Sequence, residues 1–244
     1  MPAYVENTNM IMGVTPASIT TDADGNTAYG HLAGQGITTG DSNVFVGYRT
    51  GKAVTTGVQN TFVGQGAGID ATTSSYNNFF GNLAGYSGTR GNQNNAFGYY
   101  AMSINQGINN VAMGHNAMQG EPGADNDESV GIGAYALRNV SGTADMNTAV
   151  GHAAMQGAGT GITSAGQYNT ALGNRAMGGL TGGYSNVAVG RSTLASITTG
   201  YDNTVVGALA GETLTTGYYN TYIGKSAGSG ATTAAHSNVG IGLS

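Results

Sequence analysis

The chain has 244 residues, of which only 8% are charged. Its net charge is −5, and it contains no cysteine. The seven Lys and Arg residues are scattered, so we expect no nucleic-acid groove and no docking on an anionic membrane. The N-terminus lacks a positive segment followed by an apolar one, and no run of about 18 apolar residues occurs, so neither a secretory signal nor membrane insertion is expected.

A short phrase, Asn followed by three residues and Gly, repeats from one end of the chain to the other. It opens at Asn9, Asn26, Asn43, Asn60, Asn77, Asn94, Asn110, Asn147, Asn169, Asn186, Asn203, Asn220 and Asn238, with a degenerate copy at Ser129. Eight of the 13 intervals between these 14 copies share one length, which sets a 17-residue period. A fixed period this short indicates that each copy is one coil of a solenoid.

The predicted fold class is therefore all-β, a β-solenoid or β-roll of about 14 coils with a 17-residue repeat. Residues 1–8 precede the first anchor and are interpreted as an N-terminal cap or docking segment. Residues 9–244 are interpreted as a single solenoid domain, because the repeat leaves no stretch for a second one.

Each position in a coil is named here by its phase, with the anchor Asn at phase 0. Phase +1 is mostly Thr or Val, phase +3 is apolar in every copy, phase +4 is Gly in all 14 copies and phase +7 is mostly Ala. Short β-branched and aromatic runs between Asn and Gly predict one strand per coil. The Gly column predicts a conformation or a close backbone approach that a side chain would block. The Asn column predicts a turn and a ladder of stacked amides.

Phase +2 is the position from which we predict assembly. Strand alternation puts phases +1 and +3 on one face, which we assign to the coil interior, and phase +2 on the other. Phase +2 carries no charge and includes Phe45, Phe62, Phe79, Val205 and Tyr222. Because monomers rarely expose such a stripe, these five side chains are the predicted subunit interface. A wide coil whose own far wall covers this face is the alternative.

The histidines do not form a recognisable metal motif. His31, His115 and His152 share phase +5 with Tyr, Asn, Arg and Lys residues in other copies, which is typical of a solvated surface row. His115 and His152 are two coils apart, about 10 Å, too far for one metal. No nucleophile motif, phosphate loop or zinc pattern is present, so we predict no catalytic residue, no metal, no cofactor and no enzyme activity. Acids on separate coils, as in a polysaccharide-cleaving spike, remain the alternative.

Two of the longer intervals are candidate recognition loops, because insertions in solenoids project from one face and often bind partners. They contribute the candidate residues Glu121, Asp125, Asp127 and Glu128 in the first interval, and Gly157, Thr160 and Ile162 in the second. The first also supplies oxygens that calcium accepts, but its spacing matches no known ion loop. A solvated acidic loop is the simpler interpretation.

Two further sets of residues that recur at equal phases, one of Tyr and one of paired Thr, are candidate ligand-binding surfaces. Tyr184, Tyr201 and Tyr218 share one phase in successive coils and are predicted to stack in a row. Exposed Tyr suits sugar rings, which makes them candidate glycan-stacking residues, although packing along the rod is the favoured interpretation. Pairs such as Thr38-Thr39 and Thr55-Thr56 suggest an ice-binding surface. However, adjacent residues of a strand point to opposite faces, so the two members of a pair would not lie in one flat array.

The repeat phrase resembles two known repeat families. Asn147-Thr-Ala-Val-Gly, Asn186-Val-Ala-Val-Gly and Asn238-Val-Gly-Ile-Gly resemble the head repeats of trimeric autotransporter adhesins. The longer phrase Asn-Thr-x-x-Gly-x-x-Ala-Gly followed by Thr-Thr-Gly resembles repeat arrays of bacteriophage tail fibres. The resemblance implies a parallel homotrimer in a virion or outside the cell, with other virion proteins or a host surface glycan as partners. The adhesins' shorter period, signal peptide, stalk and membrane barrel have no counterpart here, so a complete autotransporter is not expected.

Three functions remain open from the sequence. The prediction is a structural, fibrous virion protein that forms a rigid shaft or tip and supports adhesion to a host surface. The first alternative is a self-assembling extracellular filament or adhesin whose open sheet ends template further subunits. The second alternative is a monomeric solenoid that binds ice or a glycan.

Overall fold

The computed structural model describes residues 9–12, 23–86, 91–157, 161–163 and 166–243. Within these residues, short strands follow one another as neighbours in a single parallel 14-stranded sheet, in sequence order. The strands are β1 (Met10–Met12), β2 (Thr27–Tyr29), β3 (Val44–Val46), β4 (Thr61–Val63), β5 (Asn78–Phe80), β6 (Asn95–Phe97), β7 (Val111–Met113), β8 (Val130–Ile132), β9 (Thr148–Val150), β10 (Thr170–Leu172), β11 (Val187–Val189), β12 (Thr204–Val206), β13 (Thr221–Ile223) and β14 (Val239–Ile241). The predicted β-solenoid is confirmed, whereas the proposed cap at 1–8 lies outside the described residues.

The register of the sheet pairs each residue with the same phase of the next coil. Phe45 is opposite Phe62 and Val46 is opposite Val63. Thr148 is opposite Thr170 even though the longest interval of the chain separates their anchors, Asn147 and Asn169. The extra residues of long intervals therefore lie between the strands and leave the sheet unchanged.

The anchor Asn residues form the predicted amide ladder. The Nδ2 of Asn60 donates to Oδ1 of Asn43 at 3.0 Å and to the carbonyl of Ser74 at 2.8 Å. In turn, Oδ1 of Asn60 accepts from the backbone N–H of Asn77 at 3.0 Å and from its Nδ2 at 3.2 Å. Asn43, Asn60 and Asn77 are fully buried. Since buried polar groups need partners, this column requires a polar side chain that can accept from the next coil, which Asn provides in 13 copies and Ser129 provides with its hydroxyl in the other.

The Gly column at phase +4 is explained by both of the predicted causes. Gly47 has φ = 135°, a conformation that L side chains rarely adopt. A Cβ placed on Gly47 would stand 2.7 Å from the carbonyl oxygen of Gly64 in the next coil. Any side chain at this phase would therefore separate the coils.

The interior of the coil is on the opposite strand face from the one predicted. The middle residue of each strand from β2 to β13, at phase +2, is buried within the single chain. Phe45, Phe62, Phe79 and Val205 are 0% exposed and Tyr222 is 3% exposed. The prediction that these five form a subunit interface is therefore wrong, because the chain's own opposite wall covers them, as the alternative held.

The core is filled by size matching between phases +2 and +8. Gly68 follows Phe62 and Gly85 follows Phe79 at this spacing, and a Cβ on Gly68 would clash with the Phe62 ring. In the six coils that begin at residues 94 to 186, phase +2 is Ala or Gly and a buried Met or Leu takes phase +8; these residues are Met102, Met118, Leu137, Met155, Met177 and Leu194. One large side chain thus fills the cross-section of each of these coils, as close packing demands. The coil that begins at Asn26 is an exception, with Ala28 and Gly34 at these positions.

Candidate functional surfaces

The outer sheet face consists of the first and third residues of strands β2–β14, at phases +1 and +3. None of these residues is buried, and none is charged. Met113, Leu172 and Ile223 are 45%, 47% and 41% exposed, and the Phe80 and Phe97 rings stack at 5.1 Å. The sequence analysis assigned phases +1 and +3 to the coil interior, so it missed this outward-facing surface.

Polar columns border the outer sheet face on both sides. The residue before each anchor, at phase −1, is polar or Tyr in most copies, for example Gln59 and Tyr76. The residue after the Gly column, at phase +5, includes His31, Tyr48 and Lys225. An apolar stripe inside a polar rim is the usual anatomy of a protein interface.

The predicted tyrosine row is present and extends by one histidine. Ring centroids are 4.9 Å apart between Tyr184 and Tyr201, between Tyr201 and Tyr218, and between Tyr218 and His236. The interplanar angles are 8°, 2° and 6°, so the rings are nearly parallel. Both faces of Tyr201 and of Tyr218 are therefore covered by neighbouring rings. A sugar cannot stack on those faces, which favours the packing interpretation of this row.

Tyr219 stands across the tyrosine row and remains 56% exposed. Its ring is 5.6 Å from Tyr201 and 5.3 Å from Tyr218, at 83° to both. Partial burial raises the pKa of Tyr201 above its ordinary value of 10.0, and Tyr219, Tyr184, Tyr218 and Asp202 raise it further when they are ionised.

The histidines lie in an exposed row of rings. His31 stacks on Tyr48 at 5.6 Å, and His115 stacks on Tyr99 at 5.3 Å. Tyr135 meets both His115 and His152 edge-on, at 5.1 and 5.8 Å. Over the described residues, no group of three or more His, Asp or Glu side chains is arranged to hold a metal ion.

The acidic interval has both structural and free carboxylates. Oδ1 of Asp127 accepts from the backbone N–H of Ile108 at 2.7 Å, and Oδ1 of Asp145 accepts from the N–H of Asp127 at 3.0 Å. Glu121, Asp125 and Glu128 are exposed. Asp127 thus serves the coil-to-coil ladder, and the other three residues are the ones that stay available as the predicted recognition loop.

The second predicted recognition loop, with Gly157, Thr160 and Ile162 as its candidate residues, is not confirmed. Ile162 is fully buried and forms a parallel bridge with Val140, so its assignment as a recognition residue is wrong. Its apolar side chain belongs to the hydrophobic core of the coil between Asn147 and Asn169. Gly157 has φ = 77°, and a Cβ on it would stand 3.2 Å from Ile162. Thr160 lies outside the described residues.

The threonine pairs have their first hydroxyl occupied. The Oγ1 of Thr38 donates to the carbonyl of Thr55 at 3.1 Å, and the Oγ1 of Thr55 donates to that of Thr72 at 3.0 Å. An ice-binding array needs free hydroxyls in a flat row. The outer sheet face is also unsuited to ice, because it mixes Thr with Phe, Met and Leu side chains of different lengths.

Comparison with known proteins gives no family. No protein-family model matches the chain, and no curated protein or solved structure is significantly similar to it. The described residues include no helix that could cross a lipid bilayer. Functional inference therefore depends on the surfaces described above.

The acidic interval gives a testable pH dependence. Although the side chain of Asp125 is largely exposed, the loss of part of its hydration raises its pKa above the ordinary 3.8, and the charges of Asp127 and Asp145 raise it further. Because the folded-state pKa is raised, the stability that Asp125 contributes is complete below pH 3.8 and is lost as the pH rises through the folded pKa. Asp127→Asn keeps an oxygen for the Ile108 N–H and removes one charge. We expect the pKa of Asp125 to fall in this variant, as measured by carboxyl-carbon NMR titration.

Asp202→Asn is the matched control for this titration, because Asp202 lies several coils away. It should leave the Asp125 titration unchanged. An Asp125 pKa that does not move in Asp127→Asn would show that the charge of Asp127 does not reach it.

Proposed function

We propose that the protein is a structural fibre subunit, most simply the shaft or tip of a phage tail fibre or another virion appendage, built as a parallel homotrimer. The observation that carries this proposal is the outer sheet face, which is free of charge from β2 to β14 and has an apolar side chain or Tyr at every phase +3 position. A side chain such as Leu172 has no structural reason to be apolar in an isolated chain, because it is 47% exposed. Contact with another copy supplies that reason.

The outer sheet face is large enough to form most of one side of a standard protein interface. With strands about 4.8 Å apart and a width of about 10 Å, the 13 strands β2–β14 present about 600 Å². This equals the largest apolar patch of a typical monomer. A standard interface buries about 800 Å² on each partner, and its edge is usually polar, as the columns that border this face are.

The irregular intervals support parallel, in-register association. The longer intervals, such as the one from Asn110 to Ser129, lie at fixed positions in the sequence of coils and therefore at fixed heights along the rod. Identical chains side by side in parallel place equal coils at equal heights, so these longer intervals coincide. The three-fold symmetry and the virion location rest on the resemblance of the repeat phrase to tail-fibre arrays and adhesin heads.

The assembly is tested with charges on the outer sheet face. Leu172→Asp combined with Val206→Asp alters two side chains that are 47% and 36% exposed, so the coil itself should remain folded. We expect wild-type protein to have three times the chain mass in native mass spectrometry, and the double variant to be monomeric with an unchanged circular-dichroism spectrum. Burying unpaired carboxylates in an interface is strongly unfavourable.

The matched control is Thr199→Asp, which places a carboxylate on an exposed turn residue outside the outer sheet face. It should remain trimeric. A wild-type monomer would contradict the proposal, a dimer would contradict its three-fold part, and a series of increasing lengths would favour a filament. A double variant that stays trimeric would place the interface elsewhere.

The virion assignment needs its own test. Antibodies raised against the purified chain should label fibres on virus particles in electron micrographs and should reduce adsorption of the particles to host cells. Particles without label, together with labelled surface filaments on the cells, would favour the extracellular filament.

A further inference from the structure

The tyrosine row contains a chemical arrangement that a structural rod does not require. Tyr184, Tyr201 and Tyr218 come from three consecutive coils and hold their rings parallel at 4.9 Å. Neighbouring members of the row lie one repeat period apart in the chain, so a bond between two rings would join one coil to the next. The chain has no cysteine and therefore has no disulfide to do this.

We propose that Tyr184, Tyr201 and Tyr218 form an oxidative cross-linking site, at which neighbouring rings are joined as dityrosine by hydrogen peroxide and a haem peroxidase. The row is accessible to such an oxidant, since Tyr184 is 41% exposed and Tyr201 and Tyr218 are half-buried. The product is a covalent staple between successive coils.

The reaction balances with these groups alone. Each of two phenols loses one electron and its hydroxyl proton, which gives two tyrosyl radicals. The carbons ortho to the two oxygens form one C–C bond, and the hydrogens on those carbons leave as protons while the phenol O–H groups are restored. The two electrons and two protons lost overall reduce one hydrogen peroxide to two water molecules.

The geometry favours coupling within one chain. Free tyrosyl radicals must first diffuse together, whereas these rings are already neighbours in the folded state. Holding two reactants in place turns a bimolecular step into a unimolecular one and raises its rate by several orders of magnitude. The other tyrosine pairs differ in geometry or in span: Tyr86 and Tyr100 are 6.1 Å apart at 66°, edge to face. Tyr99 and Tyr100 are closer, 4.6 Å apart at 67°, but they are adjacent in the chain, so a bond between them would not join two coils.

A covalent bond between two coils would stabilise the solenoid against unfolding. Each coil contacts only its two neighbours, so unfolding proceeds coil by coil. Closing a loop of one repeat period lowers the entropy of the unfolded chain, as a disulfide of equal span does. Oxidised protein should therefore unfold at a higher temperature than untreated protein.

The experiment treats the full-length protein with hydrogen peroxide and a haem peroxidase at low protein concentration. Trypsin cleaves after Arg175, Arg191 and Lys225, so Tyr184 and Tyr201 lie in separate peptides, 176–191 and 192–225. Mass spectrometry should find these two peptides joined, with two hydrogen atoms missing. A bond between Tyr201 and Tyr218 should appear as the same loss within peptide 192–225, and fragmentation of that peptide should distinguish it from a bond to the neighbouring Tyr219. Dityrosine fluorescence should appear at a rate independent of protein concentration.

Tyr201→Phe is the decisive variant, because Phe keeps the ring stack and lacks the phenol. We expect the joined peptides to decrease by about tenfold or more in this variant, since Tyr184 and Tyr218 are then two coils apart. Tyr76→Phe, at an exposed tyrosine outside the row, should leave the yield unchanged. Oxidation should raise the unfolding temperature of wild-type protein and not that of Tyr201→Phe.

Three results would overturn the proposal. The first is the absence of dityrosine in treated wild-type protein. The second is an equal yield of the joined peptides in Tyr201→Phe. The third is cross-linking whose rate rises with protein concentration and whose products are larger than one chain in denaturing gels, because coupling would then be between molecules.

Discussion

Phe62→Ala should destabilise the chain by about 3–5 kcal/mol, the usual cost of removing a fully buried aromatic side chain. Phe62 is 0% exposed, and its ring lies 4.8 Å from Phe79 and 5.5 Å from Phe45. Removal of the ring leaves a cavity, because the facing residue of the same coil, at phase +8, is Gly68, which has no side chain to fill the space. Urea unfolding followed by circular dichroism measures the loss.

Adding Gly68→Met to Phe62→Ala should recover a large part of that loss. The double variant reproduces the arrangement of the coil that begins at Asn94, where Ala96 and Met102 fill the same positions. Gly68 has φ = 57° and Met102 has φ = 56°, so the backbone of phase +8 already accepts Met in this chain. Gly68→Met alone should destabilise the protein, because its Cβ would clash with the Phe62 ring.

These variants form a double-mutant cycle. We expect the double variant to be more stable than either single variant, which requires a coupling of several kcal/mol. Simple addition of the two losses would contradict the size-matched core. Ile108→Ala, at a side chain that is 39% exposed and lies outside the outer sheet face, is the control for loss of an apolar side chain outside the core.

Asn60→Ala is the second large prediction, with an expected loss of about 3 kcal/mol or more. The change removes an acceptor from two donors of Asn77 and a donor from Asn43 and from the Ser74 carbonyl. These groups are buried, so each partner left unsatisfied costs about 1–3 kcal/mol. Hydrogen exchange should also show faster exchange at the Asn77 amide, whose bond to Asn60 is lost.

Asn82→Ala is the matched control for the amide ladder. Its Nδ2 donates to Oε1 of Gln65 at 3.2 Å in an exposed pair, so its loss should change stability by no more than about 0.5 kcal/mol. Equal effects of Asn60→Ala and Asn82→Ala would mean that the buried ladder contributes little beyond a surface contact.

Several features of the fold were predictable because they repeat at one phase in every coil. The Gly column gave the close approach of backbones, as Gly47 against the Gly64 carbonyl shows, and the Asn column gave the amide ladder. The row of Tyr184, Tyr201 and Tyr218 followed from equal spacing alone. A parallel stack places equal phases above one another, so columns can be inferred from the period.

The alternation of residues along a strand could not predict which strand face points into the coil. Both faces of strands such as Val44–Val46 are apolar, so a period of two cannot distinguish them. The sequence did contain a second signal, the exchange of size between phases +2 and +8, as in Phe62 with Gly68 and Ala96 with Met102. Such compensation is expected only of side chains that share one packed interior, and it would have placed phase +2 inside.

The sequence by itself determined the solenoid, its register and its ladders, because a 17-residue period forces like residues into contact along the rod. Only the tertiary structure decided which apolar column fills the coil. That choice depends on the path of the chain after each strand, where Gly68 and its equivalents leave room for one large side chain. With phase +2 enclosed, phases +1 and +3 face outward, and the apolar surface of this protein lies where another copy can cover it.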